Sequence, residues 1–313
     1  MDHTKKIMPV NFKNNIPLSS HTSIELGGNA DYFSECFDLD SIIETLIFAK
    51  KNNLKVQVMS GGSNIIFPDS GYKGIVLKVN NKGVNFENEA DHSKITVSAG
   101  ENWDDLVKLC IENDLTGVEC MSGIPGSVGA APVQNIGAYG QEVKNTIQSL
   151  KALDKKNITL VEFSNEECKF AYRQSRFKAE DAERYIITEV TFSLKKSEDP
   201  QIYYPELQNF LDKNTDYAVL KTTKDKLLKI RKSVMSLRKK KSMVLDKNDP
   251  NSRSCGSFFI NPILNEDDFI DIKSKFGSIP YYKTEFYFKI PAAWLIEQAG
   301  FYKGYKFGRA GIS

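Results

Sequence analysis

Between Met121 and Val143 the chain reads MSGIPGSVGAAPVQNIGAYGQEV, a run with five glycines, two prolines and a single charged residue, Glu142. This stretch constrains the chain more than any other, because it is built to bring main chain close to a bound group. Gly123, Gly126, Gly129, Gly137 and Gly140 lack the Cβ that would collide there, and they permit positive φ angles that aim successive N–H groups inward. Concave amide surfaces of that kind favour anions, phosphates above all. The plainer reading is a tightly packed turn region without a ligand. Ser122, Ser127, Gln134, Asn135 and Tyr139 argue for the ligand, since they offer directed hydrogen bonds among small residues.

A second cluster lies in Val56–Asp69, VQVMSGGSNIIFPD, which reads as an apolar strand, a turn over Ser60, Gly61, Gly62, Ser63 and Asn64, and a second apolar strand. The spacing is not GxGxxG and Ile65–Pro68 is a poor helix start, so a nicotinamide-type dinucleotide fingerprint is not supported. Two backbone cradles suggest one phosphate-rich cofactor held in another way.

Four segments in this order, SGGSNIIFPD, IPGSVGAAPVQNIGAYGQE, AYRQSRFK at Ala171–Lys178 and CGSFFINP at Cys255–Pro262, resemble the UDP-N-acetylenolpyruvoylglucosamine reductases of peptidoglycan synthesis. The resemblance runs from about Asn15 to the end of the chain. It implies an α+β fold: a two-lobed FAD-binding domain of the type shared with alcohol and sugar oxidases, then a smaller α+β substrate-binding domain. The expected boundaries are residues 1–80 for the first lobe, 81–235 for the second and 236–313 for the substrate domain. The resemblance further implies non-covalent FAD, NADPH as reductant, UDP-N-acetylglucosamine enolpyruvate as substrate, UDP-N-acetylmuramate as product, and a cytoplasmic monomer.

Site residues follow from the same resemblance. FAD is expected against Ser60, Gly61, Gly62, Ser63 and Asn64, against Gly123, Ile124, Pro125, Gly126, Ser127, Gly129 and Ala130, and against Asn135, Gly137, Ala138 and Arg238. Tyr139, Tyr204, Lys241, Asn261 and Gln298 match substrate-contacting positions. Arg173 by itself reads as a surface ion pair; the resemblance places it beside the flavin and the substrate carboxylate, where it would stabilise developing negative charge. Ser257 would donate a proton, although an ordinary serine is a poor acid and needs charged neighbours. A hydrolase nucleophile is disfavoured there, since neither GxSxG nor a histidine accompanies it. The run Arg238–Lys241 otherwise reads as a solvated helix end, and Cys255 as an inert thiol.

Bulk properties narrow the alternatives. At 313 residues, with 41% hydrophobic and 26% charged content, the chain is an ordinary globular protein of two or three subdomains. No run of about 18 apolar residues suggests a membrane span, and the basic N-terminal leader lacks an apolar signal core. The five cysteines are scattered without a CxxC pair, and His3, His21 and His92 stand apart from them, which disfavours zinc and fits reduced cytoplasmic thiols. A formal net charge of +2 gives no field suited to nucleic acid.

Periodicity predicts a helix over 39–53 capped by Asp38 or Asp40, strands at 56–59, 65–67, 74–79 and 95–99, and a one-faced helix over 103–113. Further strands are expected at 146–153, 158–163 and 184–194, with a turn or short helix at 165–170. A basic-faced helix at 223–239, a loop at 246–254 and helices at 266–275 and 292–299 follow.

Reductases of the resembled family continue beyond the motif that ends here as GRAGIS and carry an active-site glutamate there. No glutamate of this chain matches it, Glu285 and Glu297 included, so the expectation is a truncated chain that binds FAD more securely than it turns over. Two other readings stay open: a non-catalytic FAD-binding remnant, and a flavin oxidase of the same fold. Covalent attachment of flavin, common among such oxidases, is disfavoured because neither glycine motif holds a histidine and Cys120 is only adjacent to one.

Overall fold

The computed structural model describes residues 11–283 and 286–312. His3, most of the polar leader and Glu285 lie outside the described residues. The chain forms two compact units, one ending at Cys255 and the other beginning at Gly256.

In the first unit, β1 (Lys13–Pro17), β2 (Asn29–Cys36), α1 (Leu39–Lys51), β3 (Val56–Met59) and β4 (Tyr72–Val79) build one lobe. Its sheet has the order β1-β2-β4-β3, with β1 antiparallel to β2 and the other two pairs parallel. Asp38, not Asp40, caps α1: its carboxylate accepts from Ser41 N, and Ser41 Oγ accepts from Asp38 N in return. The strand expected at 65–67 does not form. Pro68 O accepts from both Gly28 N and Gly71 N, so the chain doubles back before β4, and Phe67 plugs a core of Leu18, Phe33, Met59 and Val76. A short apolar run was compatible with either outcome.

The second lobe contains β5 (Val84–Asn88), β6 (His92–Ser98), α2 (Trp103–Glu112), β7 (Leu115–Thr116), β8 (Gly137–Ala138), β9 (Gln141–Glu142), β10 (Ile147–Asp154), β11 (Thr159–Ser164) and β12 (Tyr185–Lys196). An antiparallel sheet runs β11-β10-β12-β6-β5, with β7 added along β12, while β8 and β9 form a separate hairpin. Trp103, Leu106, Val107, Cys110 and Ile111 of α2 are all buried, as the spacing i, i+3, i+4, i+7, i+8 demands. Leu77 and Val79 of the first sheet pack with Leu153 and Ile186 of the second, so the lobes share core.

Next come α3 (Pro205–Asn214), which periodicity did not suggest, and α4 (Thr223–Lys240). They pack together through Leu207, Leu211, Ile230, Val234 and Leu237 over Cys120. The boundary expected between residues 235 and 236 falls inside α4.

The second unit contains β13 (Ile263–Leu264), α5 (Glu266–Phe276), β14 (Tyr282–Lys283), β15 (Phe288–Lys289), α6 (Ala292–Gln298), β16 (Lys306–Phe307) and β17 (Ala310–Gly311). Strands β13-β15-β14 form its sheet over a core of Phe269, Ile279, Phe288 and Ile290. Among the described residues no helix is long and apolar enough to cross a membrane.

Candidate functional site

The two glycine turns meet. Ser60 Oγ lies 2.6 Å from Ser127 Oγ and accepts from Ser127 N, and Ser63 Oγ donates to Pro125 O at 3.3 Å. A Cβ on Gly61 would lie 3.2 Å from Gly126 Cα, so main chain faces main chain across the junction. Gly62 has φ +68° and a Cβ there would come within 2.0 Å of His21 O, a position closed to any side chain. Among the described residues, the amides of Gly61, Gly62, Ser63 and Asn64 donate to no protein acceptor. They form a row of four donors at the end of β3.

The glycines of the longer loop divide into two kinds. Gly123, Gly126 and Gly140 have positive φ, whereas Gly129 and Gly137 do not. Gly129 is small because its missing Cβ would lie 2.5 Å from Ala99 Cβ, and Gly137 because its Cβ would lie 2.5 Å from Gln141 O. The expectation that all five aim N–H groups at a ligand is therefore corrected: Gly123 N donates to Asp104 Oδ1 at 2.6 Å and Gly129 N to Ala99 O at 2.8 Å.

The hairpin β8–β9 turns through Tyr139 (φ 47°) and Gly140 (φ 90°), the two positive angles of a tight primed turn. A tyrosine in that conformation is uncommon, and its neighbours hold it. Its ring meets Tyr204 edge-on at 5.5 Å, and Lys241 Nζ lies 5.9 Å from the ring centre while bonding Glu206 at 2.7 Å. Burial, then the Glu206 charge, pushes the Tyr139 hydroxyl up to about 12. Gly137 O accepts from Arg173 Nη2 at 2.7 Å, so the hairpin also anchors that guanidinium. Asn135, fully buried, spends its side chain on the protein: Nδ2 donates to Glu142 Oε2 and Ala171 O, and Oδ1 accepts from Lys144 N. It ties the loop to the segment that carries Arg173.

Arg238, on the last turns of α4, is only 8% exposed. Its Nη2 donates to Met243 O at 3.0 Å, but its buried Nε has no partner. A Cβ on Gly123 would lie 3.4 Å from that Nε, which places the unpaired donor against the glycine loop. Burial draws the guanidinium below its ordinary basicity and the charge of Arg173 works the same way, while Tyr139 and Asp104 oppose them.

In the second unit, Ser257 is exposed in an irregular segment beside Phe258 and Phe259. Asn261 Oδ1 accepts from Ala292 N at 2.8 Å and so caps α6, and Gln298 is the exposed last residue of that helix. These two candidates bracket one short element.

Comparisons with known proteins bear on what these residues serve. Residues 30–164 match the FAD binding domain family, and residues 249–313 match the C-terminal domain of UDP-N-acetylenolpyruvoylglucosamine reductase. The UDP-N-acetylenolpyruvoylglucosamine reductase of Thermobifida fusca is 38% identical over 317 residues, covering 98% of this chain and 86% of the relative. The chain belongs to the UDP-N-acetylenolpyruvoylglucosamine reductase family. The family's reductase from Bdellovibrio bacteriovorus is 36% identical over 96% of this chain and 86% of its own length. The crystal structure of the family's reductase from Thermus caldophilus shares the fold, with a TM-score of 0.64 at 20% identity, covering 97% of this chain and 85% of that one. The architecture is thus an α+β FAD-binding domain followed by the reductase family's C-terminal domain.

The first unit fits the FAD of this reductase family on its own geometry. Four consecutive free amides at Gly61–Asn64 suit phosphate oxygens. The orphaned Arg238 Nε asks for a carbonyl or an anion, because a buried donor left unpaired is costly. Sequence reasoning missed Asp104, Glu119 and Gln141, whose bonds hold the loop in place. Asp104 reads as an ordinary acid in a first helical turn; Glu119, a lone acid in GVECM, was the readable signal.

Proposed function

We propose that this chain is an NADPH-dependent flavoprotein that reduces UDP-N-acetylglucosamine enolpyruvate to UDP-N-acetylmuramate, as a cytoplasmic monomer. The observation that carries the reading is the buried Arg238, its Nε unpaired beside Gly123, in a member of this reductase family. FAD, held by Gly61–Asn64, Gly126 and Arg238, would supply the hydride chemistry that reduction of the enolpyruvyl double bond by a nicotinamide needs.

The chain's own residues bind, orient and protonate. Gly61–Asn64 and Gly126 present backbone to the cofactor, and Arg238 offers a fixed positive donor. Arg173, anchored on Gly137 O, meets the substrate carboxylate and stabilises the negative charge that spreads into it as the alkene is reduced. Ser257 returns the proton to the adjacent carbon, completing addition of one hydride and one proton across the double bond. Tyr139, Tyr204 and Lys241 form a cluster of two rings and an ammonium suited to a uridine diphosphate.

The test is NADPH oxidation by the purified, flavin-loaded protein with and without UDP-N-acetylglucosamine enolpyruvate, with the product weighed by mass spectrometry. A product two hydrogens heavier, formed only with substrate, is expected. NADPH consumption that follows dissolved oxygen alone would favour an oxidase, and bound flavin without turnover would favour a non-catalytic protein.

A further inference from the structure

Glu119 is 1% exposed and sits at the entrance to the glycine loop, opposite β9. Its Oε1 accepts from Gln141 Nε2 at 2.9 Å and its Oε2 from Gly117 N at 2.7 Å. Gln141 in turn uses its own Oε1 to accept from Cys120 N at 2.8 Å. The glutamine thus grips the Glu119 segment at two points, and it is the residue that closes the turn after Tyr139 and Gly140. Nothing in local propensity favours a tyrosine in a left-handed turn. A turn under strain persists where its surroundings over-determine it.

We propose that Glu119 and Gln141 are a positioning pair that fixes the β8–β9 hairpin, and through it Arg173 and Tyr139, for the substrate half of the reaction. The proposal rests on the reductase reading. Neither residue touches the reacting atoms. The hairpin's Gly137 O holds the Arg173 guanidinium, and its Tyr139 ring meets Tyr204 and Lys241. A hairpin free to shift carries both groups with it. The row of amides at Gly61–Asn64 belongs to another element and stays in place.

Hydrogen-bond polarity makes the pair testable. In Glu119→Gln, the new Oε1 can accept from Gly117 N, which leaves its NH2 facing Gln141 NH2. Flipping Gln141 only moves the clash to Cys120 N–H, so one donor always meets a donor. In the exchange E119Q/Q141E, the amide now at position 119 donates to the carboxylate now at position 141. That carboxylate still accepts from Cys120 N, and every bond is restored.

The experiment follows the two half-reactions separately by stopped flow on the flavin-loaded protein, watching reduction by NADPH and then reoxidation by UDP-N-acetylglucosamine enolpyruvate. Glu119→Gln is expected to slow reoxidation by about tenfold or more, because small misplacements of a reacting group are expensive. Flavin reduction should stay within about twofold, and the exchange should recover most of the lost rate. If Glu119→Gln fails to retain flavin, Gln141→Ala, at a partly exposed position, supplies the same comparison. Equal slowing of both half-reactions, unchanged reoxidation, or no recovery in the exchange overturns the positioning role. A wild-type protein whose reduced flavin is not reoxidised by the enolpyruvyl substrate overturns the reductase reading, and the pair's role with it.

Discussion

Asp104 receives both ends of the Arg231 guanidinium at 2.6 Å while its Oδ1 also accepts from Gly123 N at 2.6 Å. One carboxylate therefore joins the start of α2, the middle of α4 and the glycine loop. Arg231 lies seven residues, about two turns, before Arg238 on the same helix, so this junction also sets where Arg238 points.

Asp104→Asn tests the junction through pH. Burial alone would raise the Asp104 carboxyl, but the Arg231 bonds, the Gly123 amide and the charges of Arg231 and Arg238 outweigh it and hold it below the ordinary range. A depressed folded value means stability that is complete above the unfolded pKa of about 4 and is lost as pH falls through the folded value. Denaturant unfolding from about pH 2 to 7 should show wild type and variant converging in strong acid, separating as pH rises toward about 4 and keeping a constant gap above it. The separation should be about 1–3 kcal/mol, below that of a fully buried pair because Asp104 is 27% exposed.

Arg238→Met should move stability and function in opposite directions. Removing a buried charge with an unpaired donor leaves the flavin-free protein equally or more resistant to heat. FAD affinity should fall by about ten- to a hundredfold, the value of a charged hydrogen bond worth about 1.5–3 kcal/mol. Calorimetry of the flavin-free protein with a flavin titration decides it; parallel losses would show that the guanidinium serves the fold.

Gly126→Val should weaken FAD binding while the protein stays folded. A Cβ there meets only Ser63 Oγ at 3.7 Å and Ser60 Oγ at 4.0 Å, so the penalty comes from φ +120° and from the side chain's projection at the cradle. Gly137→Val strikes the hairpin instead, against Gln141 O, and should release Arg173 as well. Flavin fluorescence titration separates the two, with unchanged affinity in Gly126→Val speaking against close approach.

Ser257→Ala should leave reduction of the flavin by NADPH intact and slow its reoxidation by the enolpyruvyl substrate, by the roughly 10²–10⁴-fold typical of a positioned acid. A shift in both steps would indicate lost structure.

The sequence disclosed most of the scaffold and only part of the site. Apolar periodicity located α1, α2 and α4 to within a few residues, because each buries one face. It passed over α3, whose Pro205 opens the helix and whose burial rests on Leu207 and Leu211 alone at full depth. Glycine motifs pointed to the turns yet not to which amides are free, since Asp104 and Ala99 claim two of them from elsewhere in the chain. Polar residues buried by tertiary contact, Glu119 above all, carry no period and become visible only with their partners in place.

The apolar core that Leu77, Val79, Leu153 and Ile186 form across both lobes bears on how long a cofactor stays. Two sheets sharing buried side chains melt together, so a bound dinucleotide does not escape by the lobes swinging apart. Its residence time is then expected to follow local opening of residues 60–64 or 121–143. Exchange of flavin with free flavin in solution should thus accelerate in denaturant far below the unfolding midpoint, at the pace of loop opening and not of global collapse.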